Sequence, residues 1–598
     1  MAGELGFARR FFFSEPRMKS SAIALAAALS AATAALSAPL TAGAAPPSNF
    51  GAYAPKDLYS QQVATSFYLP MRDGTKIAIS LHRPAVDGKP VDTRLPVIWH
   101  HTLDIEKMGV RETGAAQSLT DLTRAGYVVA IVARRGNGAS FGVRRGYEDF
   151  TEGFDAYEIT EWLAAQPWSN GQIGMYGCSN TGEAVMHAMI ARPPHLKAAF
   201  AGCFAWERYD GHTRGGIISQ YGTGPTRTLE DDMKATPVQG DEDRVLLRQA
   251  AEEHQKSTNL LELMKSMPYR DSWSPLVMAK FWGEVSIGAY LSQLKASNVP
   301  LYIQGGWYDD FRTEGLIAQA NLPGQARIVI GPWRHCLSNG FDLRAEQLRF
   351  FDHYLKGEAT GIETDAPIHY FTIGAPKGQE WRSTDRWPRP DARDALFLDA
   401  GALKAKPATK AAAASVTVDY APTCPPDPVQ PNWGPFAQPC HPAKASFVYS
   451  GPVLKADTEM TGSPLADLWI SSTAPEQPVF AYLEDVAPDG SVTVVSEGRQ
   501  RASLRKVVNA PWDTIGTPWR RAWTEDHQPL KAGEPVRVSF DMLAVSYVFK
   551  AGHRVRIAVS GSEPRERARI ETSPPPTLTL HTGGDTPSSV ILPVRSAP

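Results

Sequence analysis

Between about residues 63 and 205 the chain alternates short apolar runs with segments of helical spacing. TKIAISLHRP, LPVIWHH, YVVAI, GQIGMYG and LKAAFAGCF read as strands. AAQSLTDLTRAG and GFDAYEITEWLAAQP read as helices, the second carrying Tyr157, Ile159, Trp162 and Leu163 at helical rather than alternating intervals. This alternation predicts a largely parallel sheet with helices on both faces. From about 212 to 295 the chain turns charged and helical without strand signals, as an inserted cap would. VPLYIQGG and ARIVIGPW then resume the sheet, followed by the aromatic helix LRFFDHYLKG. Beyond about 365, short alternating runs separated by Gly, Pro, Asp and Ser predict an all-β jelly roll or sandwich, with an alanine- and proline-rich excursion over 400–445.

Charge and leader narrow the class. The 598 residues carry a formal net charge of −2 with acids and bases interspersed, so no basic stripe suits a nucleic-acid partner. MKSSAIALAAALSAATAALSAPLTAGAA, from Met18, has one lysine, a small-residue apolar run and Ala42-Gly43-Ala44 as a cleavage site. A spanning helix needs about 20 strongly apolar residues; this run is mostly alanine, interrupted by Ser, Thr and Pro39. Arg9-Arg10 ahead of Phe11 reads either as a weak twin-arginine signal or as an extension upstream of a start at Met18. The expectation is an exported protein, periplasmic or secreted, beginning near Ala45 or Pro46 and free of the membrane once the signal is removed.

Of five cysteines, Cys424 and Cys440 bracket a proline-rich loop that a local disulfide would brace. Cys178, Cys203 and Cys336 remain, and at least one must be free or pair between molecules. Cys178 and Cys336 are expected to point away from the chemistry, and a Cys203–Cys336 bond is one pairing the strand order allows. No ligand spacing for a structural zinc occurs.

GQIGMYGCSNTGEAV places Ser179 between a strand and a helix, flanked by Gly177 and Gly182. A serine hydroxyl needs a neighbouring base to become nucleophilic, and a strand-to-helix elbow lifts its Oγ to the sheet's C-terminal edge. The five-residue elbow motif would have glycine at 181, where Thr181 stands, so the motif alone is weak. Acid and base should follow in the order Asp then His, each after a later strand. QGGWYDDF brings Asp309 to one such end and IGPWRHC brings His335 to the next. Separately, Asp309 could be a helix N-cap and His335 a surface histidine; in this order at two strand ends they read as a triad with Ser179. His353 is the rival base, inside a packed helix.

YLPMRDGTKIAISLHRP, EGFDAYEITEWLAAQPWSNGQIGMYGCS, QGGWYDDF, IGPWRH, FFDHYLKG and YVFKAGHRVRIAVSGS, in this order from about residue 63 to near the end, resemble the CocE/NonD group of α/β-hydrolases. That group is related to α-amino-acid ester hydrolases and X-Pro dipeptidyl peptidases. Together with the pattern along the chain, the resemblance gives an α/β-hydrolase core over 46–211 and 296–365, a helical cap over 212–295 and a C-terminal jelly roll over 366–598, after the export segment read at 1–45. It implies the same triad, Ser179, Asp309 and His335, working through an acyl-enzyme without metal or organic cofactor.

The chain departs from the group at the oxyanion hole. The backbone N–H of Asn180 supplies one donor, but the family's tyrosine hydroxyl has no counterpart: a gap-free match puts Asp104 there, in LPVIWHHTLD. His101 is the replacement expected, with His100 and Thr102 as alternatives. The relatives selective for α-amino acyl groups resemble one another in carboxylates two and three residues after the catalytic Asp; here Phe311 and Arg312 stand there, with Trp307 also expected near the substrate. Arg312 is otherwise expected in a surface ion pair. The activity expected first is hydrolysis of a small-molecule carboxylic ester, then amide or peptide cleavage. The contrasting reading is a non-catalytic binding protein using its jelly roll. Self-association is left open.

Overall fold

The computed structural model describes residues 48–103, 119–147, 149–218, 228–389, 395–421, 440–563 and 570–595. The export segment, Asp104 and Cys424 fall outside the described residues.

The predicted strands β2, β4 and β5 to β9 form one sheet together with β1, β3, β10 and β11, which the pattern did not announce: β1 (Gln61–Pro70), β2 (Lys76–Val86), β3 (Lys89–Pro90), β4 (Leu95–Thr102), β5 (Val128–Ala133), β6 (Ser169–Cys178), β7 (Leu196–Gly202), β8 (Leu301–Tyr308), β9 (Ala326–Arg334), β10 (Ile368–Phe371) and β11 (Trp381–Thr384). Their order is β1-β2-β5-β4-β6-β7-β8-β9-β10-β11, with β3 beside β2. From β5 through β10 every pairing is parallel, and antiparallel strands finish both edges. Every residue of β4 and β5 is buried, as a sheet covered on both faces requires. Strand order reverses at β4, which lies between β5 and β6, and such a switch point leaves a crevice at the strands' C-terminal ends.

Helix α1 (Phe150–Ala164) starts at Asp149, whose carboxylate caps the N–H of Thr151. It buries Ala156, Ile159 and Leu163 and leaves Tyr157 exposed. Helix α2 (Asn180–Ala191) follows β6 directly and is buried at nearly every position. Of the stretch AAQSLTDLTRAG, the described part forms only the 3₁₀ turn Leu119–Thr123.

The cap region is built from short helices, Leu229–Asp232, Val245–His254, Leu260–Lys265 and Phe281–Val285. Leu263, Met264, Phe281 and Trp282 pack with Tyr147 and Tyr209 from the core. The first sheet runs past the expected limit at residue 365, because β10 continues its parallel register on β9. From Ala395 onward the chain is all-β, a large mixed sheet and a three-stranded one. One apolar core spans both halves: Trp307 and Tyr370 belong to the same cluster as Trp387, Met460 and Phe540. Among the described residues no helix is long and apolar enough to cross a membrane.

Leu163→Ala, at a fully buried position of α1, should cost about 2–5 kcal/mol, while Tyr157→Ala should stay within about 0.5 kcal/mol. Urea unfolding of the two variants beside the parent checks this contrast.

Candidate active site

Three consecutive strands of the parallel sheet, and the neighbour of the last, end at the same edge. Ser179 follows β6, Cys203 follows β7, Asp309 follows β8 and His335 follows β9. Ser179 has φ 64° and ψ −132°, an unfavourable conformation for a side-chain-bearing residue. The surrounding contacts impose it. The Ser179 N–H donates to the Gly202 carbonyl at 2.9 Å, and its own carbonyl accepts the Glu183 N–H at 3.0 Å.

The two glycines are sterically required. A Cβ on Gly177 would overlap the Thr181 backbone, and one on Gly182 would stand 2.5 Å from the Gly202 oxygen. Thr181, the departure from the five-residue motif, holds the turn instead. Its hydroxyl accepts the Cys178 N–H and donates to the Cys178 carbonyl, both at 2.7 Å. The elbow is intact with its second glycine one residue later.

His335 Nδ1 lies 3.1 Å from Asp309 Oδ1, and both side chains are buried. Burial pushes the Asp309 carboxyl up, but the His335 ring, the Cys203 thiol and the Phe311 N–H outweigh it and hold it below the ordinary aspartate range. Ser179 is brought to this pair by an unexpected bond. Cys178 and Cys336, the residues before the serine and after the histidine, form a disulfide with a Cα–Cα distance of 5.9 Å. The pairing is thus Cys178 with Cys336, and not the Cys203–Cys336 bond that the strand order also allowed. Cys203 is the free, buried thiol. Cys440 is also disulfide-bonded, and its expected partner Cys424 lies outside the described residues.

The dyad geometry supports general-base chemistry. With Asp309 accepting the Nδ1 proton, the neutral imidazole presents Nε2 as the base for a serine hydroxyl, and the carboxylate stabilises the imidazolium that forms. Asn180 opens α2, and the first N–H groups of a helix have no acceptor within it, so its amide is a suitable oxyanion donor. His101 is wholly buried near the end of β4 with its ring 5.3 Å from that of Trp99.

Behind the elbow lies support that sequence reasoning missed. Arg134, fully buried at the end of β5, is ion-paired to Glu152 of α1 and donates to the Asn180 carbonyl at 3.3 Å. Next to it Arg135 binds Asp155 and Asp73, and Arg72 also reaches Asp155. Thus the MRDG, ARRG and EGFDAYE stretches meet in one ion network. The adjacent arginines after a strand, set against acids at one helix's first turns, were the available signal.

The residues expected around the substrate separate. The Phe311 ring stands 5.8 Å from that of His335, beside the reacting centre. Arg312 is only 2 % exposed, so it is no surface ion pair. It donates to the Trp307 carbonyl, and burial brings its guanidinium down to about 10. Trp307 is a core residue, with its indole N–H on the Phe371 carbonyl and its ring against Trp387. His353, the rival base, stays on the helix Leu343–Lys356 and faces Glu363 at 3.2 Å.

A separate cavity is lined by Trp206, Asp210, Arg214, Glu314, Trp512 and Trp519, the last two from the β-rich half. Glu314 accepts the N–H groups of Trp206 and Glu207, and burial, reinforced by Asp210, pushes it up to about 8.

Residues 73–337 match the family model of the X-Pro dipeptidyl-peptidases (S15 family), and residues 360–591 match the non-catalytic C-terminal domain of those peptidases. The chain is 28% identical to Mb1866c of Mycobacterium bovis, provisionally named a serine esterase, over 83% of this chain and 90% of that protein. It is 27% identical to cocaine esterase of a Rhodococcus species, over 89% of this chain and 98% of that one. A CocE/NonD family hydrolase from Staphylococcus aureus shares the fold with a TM-score of 0.70 at 21% identity, covering 90% of this chain and 94% of that one.

Two outcomes follow. Cys178→Ser, or reduction of the parent, should slow fluorophosphonate labelling of Ser179 and lower the melting temperature; a disulfide is typically worth about 2–4 kcal/mol. Glu314 is held above its ordinary value of 4.5, so the folded state binds the extra proton and stability falls as pH rises from there towards about 8. Glu314→Gln keeps an acceptor for both N–H groups and should flatten this decline, which melting temperatures across that range will check.

Proposed function

Since this chain carries an S15-type serine hydrolase domain followed by the C-terminal domain of the same peptidases, we propose that it is an exported esterase. It would cleave carboxylic esters of small or medium acyl groups without a free α-amino group. The observation that carries the reading is Phe311 against the His335 ring with Arg312 buried behind it. Neither position offers an ammonium a carboxylate partner: Phe311 is aromatic, and the buried Arg312 guanidinium is turned to the Trp307 carbonyl. Of the acids lining the cavity, Glu207 and Asp210 are engaged by Arg270, and Glu314 is taken up by backbone N–H groups, while Asp310 faces Arg214 at 3.9 Å. The names of Mb1866c and of cocaine esterase, both esterases, agree with this preference.

In the proposed cycle Ser179 Oγ attacks the ester carbonyl while His335 takes its proton. The Asn180 N–H and His101 stabilise the oxyanion, each donor worth about 2.7–4 kcal/mol of barrier. Protonated His335 then releases the alcohol and activates the water that frees Ser179. Export is supported by the signal-like leader and by the Cys178–Cys336 bond, because disulfides persist in oxidising compartments.

The test is turnover of p-nitrophenyl acetate, butyrate and octanoate, glutaryl-p-nitroanilide and Ala-Pro-p-nitroanilide by residues 46–598, beside Ser179→Ala. Short-ester turnover that disappears in the variant is expected. A preference for Ala-Pro-p-nitroanilide would replace the esterase reading with the peptidase one. Absence of any Ser179-dependent turnover would leave a binding role.

A further inference from the structure

Asp309 is only 2 % exposed, and a buried carboxylate needs donors for both of its oxygens. Oδ1 has two, His335 Nδ1 at 3.1 Å and the Phe311 N–H at 3.3 Å. Oδ2 has no hydrogen-bond partner. The remaining donor at hand is the thiol of Cys203, whose Sγ lies with an Asp309 oxygen and a His335 ring nitrogen inside a mutual 4.8 Å.

The backbone around Cys203 is held as tightly as that of the serine. Cys203 follows β7 with φ 49°, and its N–H donates to the Gln304 carbonyl at 3.1 Å. Its sulfur accepts the N–H of Cys336 at 3.4 Å. A sulfur that accepts on one side is left to donate its proton elsewhere, and the carboxylate is the strongest acceptor beside it. The two sulfurs of the Cys178–Cys336 bond lie within 4.8 Å of Cys203 Sγ as well. The disulfide thereby fixes Cys336, and Cys336 fixes the thiol. Burial and the charge of Asp309 hold the thiol well above the ordinary cysteine range, so it stays protonated and able to donate.

We propose that Cys203 is a positioning residue of the triad, donating its thiol proton to Asp309 so that the carboxylate stays ionised and aimed at His335. This rests on the hydrolase reading of Ser179, Asp309 and His335. Removing the donor leaves more negative charge on the carboxylate facing the imidazole. The imidazolium is then favoured, and the acid limb of kcat/KM moves to higher pH.

The experiment compares Cys203→Ala and Cys203→Ser with the parent on p-nitrophenyl butyrate across pH. Cys203→Ala is expected to lose about tenfold in kcat, the effect of one hydrogen bond to a charged group, with KM unchanged. Its acid limb should rise by about half a pH unit, and Cys203→Ser, which keeps a donor, should restore the limb. A parent-like kcat and limb in Cys203→Ala would overturn the proposal. So would equal losses in both variants with an unmoved limb, which would make the thiol a space-filler.

A second measurement stands without the variants folding or the enzyme turning over. Cys203 is the free cysteine among the described residues, so the S–H stretch in the infrared spectrum of the parent reports on it. A band shifted to the low frequency of a thiol bonded to a carboxylate supports the contact, and a band at the non-bonded position refutes it. If no substrate shows Ser179-dependent turnover, the hydrolase reading fails, while the S–H band still decides the contact.

Discussion

The Arg134 guanidinium holds together the part of the molecule on which the chemistry depends. It is fully buried at the end of β5, and a buried charge persists only where partners surround it. Glu152 at the start of α1 is one partner, and the carbonyl of Asn180 at the start of α2 is another. One side chain thus fixes the sheet, the helix across it and the elbow at a common point. Replacing either ion alone would leave the other uncompensated in the interior, a larger cost than the pair's own contribution. The strained φ of Ser179 survives because such contacts over-determine it.

The same logic operates along the sheet edge. Ser179, Cys203 and Cys336 all have φ between 49° and 64°, and each lies at or just beyond the end of a parallel strand. Extended strands give way there to turns that face one crevice. The disulfide and the Asp309–His335 pair tie these turns to one another. Preorganisation at this edge is therefore built from backbone conformations, and the reacting side chains inherit their positions from them.

Much of this was legible in the sequence for identifiable reasons. The strand-end places of Ser179, Asp309 and His335 were legible because such a position in an α/β sheet is marked locally, by an apolar run and the polar residue after it. α1 was legible from its helical spacing, although Tyr157 proved exposed and Ala156 buried. The cysteine pairing was not legible, since Cys178 and Cys336 are 158 residues apart and meet only through the sheet order. Arg312 and Trp307 were misjudged for a related reason. Their partners, Trp387 against the Trp307 ring and the charge of Glu497 acting on Arg312, come from beyond the α/β half, and no local pattern announces them.

That shared core has a consequence for the molecule's architecture. Trp307, two residues before Asp309, packs on Trp387, and Thr313, four residues after it, accepts the N–H of Ala544. Asn321 is likewise bonded to Asp513. A second half of the kind termed non-catalytic is here a wall of the catalytic half. Severing the chain between them would strip an apolar face from the segment that carries the acid, so the two are better regarded as one inseparable cooperative body than as an enzyme with an accessory module.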